Sequence, residues 1–147
     1  TRMFKRTSTA NWKGTGLEGS GKLSMQSGVF TDQPYSFKTR FQSEDGKAGT
    51  NPEELLAASH AGCFAMALSF ILTGAGHPPE ELDVSAIVTM KSEGVHWSVA
   101  GIELKLQAKV PGIDAAKFQE LAGQAKSGCP ISKALSAVPI SLDAKLV

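Results

Sequence analysis

The sequence is sparing with the features that would classify it at a glance. Two cysteines among 147 residues are too few for a disulfide scaffold. Neither sign of charge dominates. Fifteen Lys and Arg face fourteen Asp and Glu, for a formal net charge of +1, so there is no electrostatic footprint for nucleic acid or an anionic membrane. Internal repeats, low-complexity tracts and a clear interdomain linker are all missing, and a single domain over residues 1–147 is expected. The opening Thr1-Arg2-Met3-Phe4-Lys5-Arg6 has no apolar core and is not expected to act as a secretory signal. What is present is enough apolar material, 41% against 20% charged, to build a globular core.

One stretch lacks formal charge altogether. Residues 55–79 could span a bilayer by length. They are nevertheless rich in Ala, Gly and Ser, contain His60 and His77, and have no flanking Lys or Arg anchors. A buried core helix, no membrane and a cytoplasmic location are therefore expected.

The first forty residues read as strands separated by Gly-rich turns. Residues 7–13 and 22–29 form two of them. Tyr35, Phe37, Thr39 and Phe41 recur at a spacing of two, which predicts a third strand with an aromatic face and Arg40 on the face opposite. A strong helix start follows: Asn51 as N-cap, Pro52 in the first turn, Glu53 and Glu54 at the positive end of the dipole. The helix should run over 52–73, apolar on every side and hence buried on every side. Val84, Ala86, Val88 and Met90 predict one strand, and Ile102, Leu104, Leu106, Ala108 and Val110 another, with a turn at Ser92-Glu93-Gly94. Asp114 should cap a helix over 115–126 whose stripe is Phe118, Leu121 and Ala122. Cys129-Pro130 opens a short helix, and Ile140, Leu142, Ala144 and Leu146 predict a last strand. Runs of strands with interposed helices argue an α+β fold, with largely antiparallel sheets around a long buried central helix. A second copy of the chain is the simplest cover for so greasy a helix, so a homodimer is expected.

The two cysteines carry the chemistry. Cys63 falls halfway along the greasy helix and fits a packing role, since free Cys is among the most buried residue types. Cys129 precedes Pro130 at a helix start, where unpaired amides favour a thiolate. From the residues alone Cys129 is the better acidified thiol, and Cys63 needs a cation supplied by the fold. His60 and Cys63, three apart on one helical face, with Cys129 as a third ligand, make a weak zinc set without a second paired element. A Cys–His hydrolase with His60 or His96 as base has no local nucleophile signature behind it. His60 fits better as a satisfied polar contact on a helix surface or dimer seam.

Asn51-Pro52-Glu53-Glu54-Leu55-Leu56-Ala57-Ala58-Ser59-His60-Ala61-Gly62-Cys63-Phe64 and Gly128-Cys129-Pro130-Ile131-Ser132 resemble the two cysteine motifs of the OsmC/Ohr family. Gln33-Pro34-Tyr35-Ser36-Phe37, Thr39-Arg40-Phe41 and Val110-Pro111-Gly112-Ile113-Asp114 resemble its osmotically inducible protein C branch. The likeness runs over nearly the whole chain, with a mild departure at Gly62, where Ala is common. The resemblance implies an interleaved homodimer with its active site at the seam. It implies a thiol-dependent peroxidase that reduces organic hydroperoxides, and hydrogen peroxide less readily. It makes Cys63 the peroxidatic cysteine, Cys129 the resolving one, Arg40 the cation that activates Cys63, and Glu53 the carboxylate that holds Arg40. No cofactor is implied beyond an external dithiol reductant, with a lipoyl protein as the partner the family suggests. Phe37, Phe41, Phe64, Met66 and Ile131 are candidates for an apolar substrate pocket. The alternative is a non-catalytic dimeric stress-associated binding protein with structural cysteines.

Glu53 and Cys63 are ten residues apart. On a straight helix that is about 15 Å of rise and roughly 80° of rotation. One Arg40 side chain serving both groups therefore needs a bent helix start or a Glu53 from a partner chain.

Overall fold

A computed structural model describes residues 1–147. The chain divides into two units, Thr1–Leu55 and Leu56–Val147.

The first unit is a three-stranded antiparallel sheet in the order β1 (Ser8–Lys13), β2 (Ser20–Met25), β3 (Gln33–Tyr35). Trp12 and Tyr35 tilt against each other with ring centroids 5.3 Å apart. Between them runs Gly21, where a Cβ would overlap both rings, so the pair closes over bare backbone. The expected third strand is cut short. After Tyr35 the chain turns into a five-residue helix, α1 (Phe37–Phe41). The reason is local. Ser36 caps the helix, its hydroxyl accepting from the Thr39 amide while the Thr39 hydroxyl accepts from the Ser36 amide. This reciprocal box satisfies two amides that a strand would have had to pair elsewhere. The aromatic alternation has a helical reading too: Phe37 and Phe41, four apart, meet at 5.2 Å on one face.

The second unit is built on α2 (Pro52–Gly74), whose first four residues belong to the first unit. Asn51 Oδ1 accepts from the Glu54 amide at 2.7 Å, the cap the sequence predicts. Next come β4 (Glu81–Glu93), β5 (His96–Lys109), α3 (Ala115–Gly128), α4 (Pro130–Ala134) and β6 (Ile140–Leu146). The sheet order is β4-β5-β6, antiparallel then parallel. The β4–β5 hairpin turns through Gly94 and Val95, one residue later than the sequence suggests, with Gly94 at φ +66°. A left-handed residue at this position is what a two-residue hairpin loop demands. Asp114 caps α3 by accepting from the Ala116 and Lys117 amides.

The core of this unit joins three surfaces. Phe64, Leu68 and Leu72 come from α2, Leu104, Leu106 and Ala108 from β5, and Phe118, Leu121, Ala122 and Ala125 from α3. Phe118 is fully buried, and Phe118→Ala is expected to cost about 3–5 kcal/mol, the usual range for an aromatic core truncation. Urea unfolding should show a lower midpoint at unchanged slope; a midpoint within error of wild type would contradict the packing.

α2 corrects one expectation. It is long and apolar enough to cross a membrane by length and composition, with a mean hydropathy of 1.9. It is not buried on every side within this chain, since Met66 is 65% and Phe70 74% exposed. A single sheet covers only the stripe repeating every four residues at Phe64, Leu68 and Leu72.

Candidate active site

Two pairs of functional side chains form, one in each unit. In the first unit, Arg40 projects from α1 and Glu53 from the first turn of α2. Arg40 Nη2 donates to Glu53 Oε1 at 2.6 Å, and Arg40 Nε donates to both carboxylate oxygens at 3.1 and 3.2 Å. This forked contact fixes the guanidinium plane as a lysine could not. The guanidinium carbon also lies 4.8 Å over the Phe41 ring. Arg40 thus sits on a helix, not on the strand the alternation suggests. One turn of helix places it beside Phe37 and Phe41 on the wall of a cavity of about 400 Å³. Trp12, Leu17 and Tyr35 complete the apolar lining.

In the second unit, α2 and the start of α4 bring the two cysteines together across 66 positions of sequence. Their Sγ atoms lie 2.6 Å apart, and both are free thiols. A disulfide needs about 2.05 Å, so the bond can close with a small side-chain movement once an oxidant removes two electrons. Cys129 is fully buried, and Cys63 partly so.

The surroundings split their acidities. Burial pushes the Cys63 thiol above its ordinary value, the hydrogen bond with Cys129 pushes it further, and the Ile131 amide offsets only part of this. Burial works against ionisation at Cys129 as well. There it is outweighed by the hydrogen bond with Cys63, by the amide and hydroxyl of Ser132 and by the Ile131 amide, which together draw its pKa down. Backbone amides at the opening of α4, one turn long, do what the sequence predicts for Cys129.

His60 is not a surface or seam residue. It is completely buried, and its Nε2 lies 2.8 Å from Ser132 Oγ. Burial lowers its pKa. Nothing in the sequence reading singles out Ser132, although its place three residues after Cys129 mirrors that of His60 three residues before Cys63. No group of three or more His, Cys, Asp or Glu is arranged to hold a metal ion. Of the pocket candidates, Phe37 and Phe41 line the cavity in the first unit, while Phe64 belongs to the core of the second.

An α+β fold that sets two free thiols in contact fits the class of thiol-based redox proteins. Comparison with known proteins narrows the class. Residues 44–143 match the family model described as OsmC-like protein. The chain is 45% identical to peroxiredoxin OsmC of Escherichia coli over 93% of each sequence. It is 34% identical to the organic hydroperoxide resistance protein OhrB of Bacillus subtilis over 62% of this chain and 65% of that one. The crystal structure of that OhrB superposes with a TM-score of 0.72 at 26% identity, covering 95% of this chain and 98% of the other. A Legionella pneumophila OsmC structure, at 20% identity, superposes with a TM-score of 0.73 over 99% of both chains and supports the fold. The chain belongs to the OsmC-like family and is an enzyme of the peroxidase class. The reading of the chain as a non-catalytic binding protein gives way with that assignment.

Proposed function

We propose that the protein reduces organic hydroperoxides, and hydrogen peroxide less readily, by a two-cysteine cycle. The observation that carries this reading is the 2.6 Å approach of Cys63 and Cys129. In the first step the Cys63 thiolate attacks the terminal peroxide oxygen. An S–O bond forms, the O–O bond breaks, and the alkoxide leaves and gains a proton as the alcohol. Cys63 is now a sulfenic acid. In the second step Cys129 attacks the Cys63 sulfur. An S–S bond forms and hydroxide leaves, becoming water with the proton Cys129 gave up on ionising. An external dithiol then restores both thiols by exchange and is itself oxidised to a disulfide. A lipoyl dithiol suits this last role because its two thiols close a ring on oxidation.

Cys63 has the wrong acidity for the first step as it stands, since its environment within the second unit favours the neutral thiol. In this reading Arg40, clamped by Glu53, is the cation that reverses the preference. A guanidinium within about 4–6 Å lowers a neighbouring acid's pKa by 1–3 units. The apolar cavity beside Arg40 suits the organic part of a hydroperoxide. A homodimer is supported by the exposed Met66 and Phe70, four residues apart on one face of α2. Solved relatives aligning over 95–99% of the chain support treating residues 1–147 as a single OsmC-like domain.

The test is consumption of cumene hydroperoxide by the purified protein with dihydrolipoamide, with hydrogen peroxide in parallel. Turnover is expected with both peroxides and should be faster with the organic one. A protein that consumes neither would end the reading.

A further inference from the structure

Two helices face each other with matched spacing. On α2, His60 precedes Cys63 by three residues. At the start of α4, Ser132 follows Cys129 by three. Both intervals are nearly one turn, so the two elements meet at two contacts, sulfur to sulfur at 2.6 Å and imidazole to hydroxyl at 2.8 Å. The second contact is buried: His60 has no exposed surface and Ser132 is 6% exposed. His60 Nδ1 is buried with no hydrogen-bond partner. Of its two ring atoms, the one that can be left unpartnered at least cost is a lone pair and not an N–H. That places the proton on Nε2, where it donates to Ser132 Oγ. With its oxygen so occupied, Ser132 keeps its own hydrogen for another acceptor.

We propose that Ser132 and His60 are positioning residues for disulfide formation: the Ser132 hydroxyl, oriented by His60 Nε2–H, holds Cys129 as the attacking sulfur against Cys63. The proposal rests on the reading of Cys129 as the resolving thiol. It gives work to a buried histidine that the peroxide chemistry does not otherwise use. Burial lowers the imidazole's pKa, which favours the single-proton form that donates through Nε2. Without it the Ser132 hydroxyl would be free to turn back to the carbonyl of its own helical turn, as buried serines do. The step it serves forms the S–S bond, breaks the S–O bond of the Cys63 sulfenic acid and releases hydroxide, with Cys129 oxidised and the Cys63 sulfur reduced.

The measurement is the ratio of two rates after a single peroxide addition, resolution to the Cys63–Cys129 disulfide over formation of the sulfenic acid, with sulfinic acid at Cys63 followed by mass spectrometry. Each unit of lost acidity at Cys129 removes tenfold of its thiolate and returns about threefold in nucleophilicity. Ser132→Ala is therefore expected to lower the ratio about three- to tenfold and to raise overoxidation of Cys63. His60→Leu should act in the same direction. His60→Gln, which keeps a side-chain N–H at similar reach, should restore the ratio to within about twofold of wild type. An unchanged ratio in Ser132→Ala overturns the proposal, as does a His60→Gln as slow as His60→Leu, which would make the histidine a matter of packing. If Ser132→Ala does not fold, the two His60 variants decide alone. A wild-type protein that forms sulfenic acid but no Cys63–Cys129 disulfide overturns the two-cysteine reading and this inference with it, and is told apart because no variant is needed to see it.

Discussion

Cys63→Ser is expected to abolish peroxide turnover, by at least about a thousandfold, while Cys129→Ser is expected to consume one equivalent of peroxide quickly, a second slowly, and not to turn over. Both substitutions replace sulfur by a smaller oxygen and leave the backbone as it is, so the difference between them isolates chemistry from folding. A serine hydroxyl at position 63 is far too weak an acid to supply an anion at neutral pH, and thiolate is the form that attacks peroxide. At position 129 the same change spares the attacking sulfur and removes only the second nucleophile. The Cys63 sulfenic acid then has no neighbour to condense with, and further peroxide carries it to the irreversible sulfinic acid. Mass spectrometry of Cys129→Ser after one equivalent of peroxide should show one added oxygen on Cys63, and after an excess, two. The opposite pattern, with Cys63→Ser oxidised at Cys129 and still turning over, would exchange the two roles. That outcome is a live test because Cys129 is the more acidic of the two within its unit.

Most of the second unit is legible in the sequence because its periodicities are clean. Leu104, Leu106 and Ala108 alternate with polar residues along β5, and Phe118, Leu121 and Ala122 repeat at helical spacing behind the Asp114 cap. Tyr35 to Phe41 is not legible in the same way, because residues two apart and four apart are both aromatic there. The arbiter is Ser36 with Thr39, whose mutual caps favour the helix. For α2 the sequence shows apolar residues all round and gives no direction, so it cannot say that Phe64 faces the sheet and Phe70 the outside. The site divides similarly. Cys129 at a helix start is readable as an acidic thiol from local rules, and the structure shows the amides responsible. That Cys63 lies against it is a contact across 66 positions, which no local rule reports and which entered only through the family resemblance. His60 with Ser132 was within reach: a polar residue three before one cysteine and another three after its partner is a matched pair once the cysteines are known to meet.

Arg40→Ala is expected to slow both peroxide reduction and iodoacetamide alkylation of Cys63, the first by about a hundredfold and the second by less. Desolvation, the hydrogen bond with Cys129 and the charge of Cys129 all push the Cys63 pKa up, so without a cation ionisation is disfavoured at the sulfur that must attack. If Arg40 lowers Cys63 by about 1–3 units, as proposed, its removal returns the thiol to that state. Alkylation feels only the lost thiolate, partly offset by the greater nucleophilicity of a less acidic thiol. Peroxide reduction feels the lost thiolate and also the lost stabilisation of the alkoxide that departs as the O–O bond breaks. The gap between the two losses therefore separates a cation that merely ionises Cys63 from one that also meets the leaving group. Arg40→Lys should recover part of the alkylation rate, since it keeps the charge. It should recover less of the peroxide rate, since an ammonium cannot repeat the forked grip on Glu53 made by Nε and Nη2. Glu53→Gln should fall between wild type and Arg40→Ala, because it leaves the cation in place but loosens its aim. If Arg40→Ala instead alkylates and turns over within about twofold of wild type, the guanidinium has no part in ionising Cys63. The thiolate that starts the cycle would then have to be the one the α4 amides already favour, at Cys129.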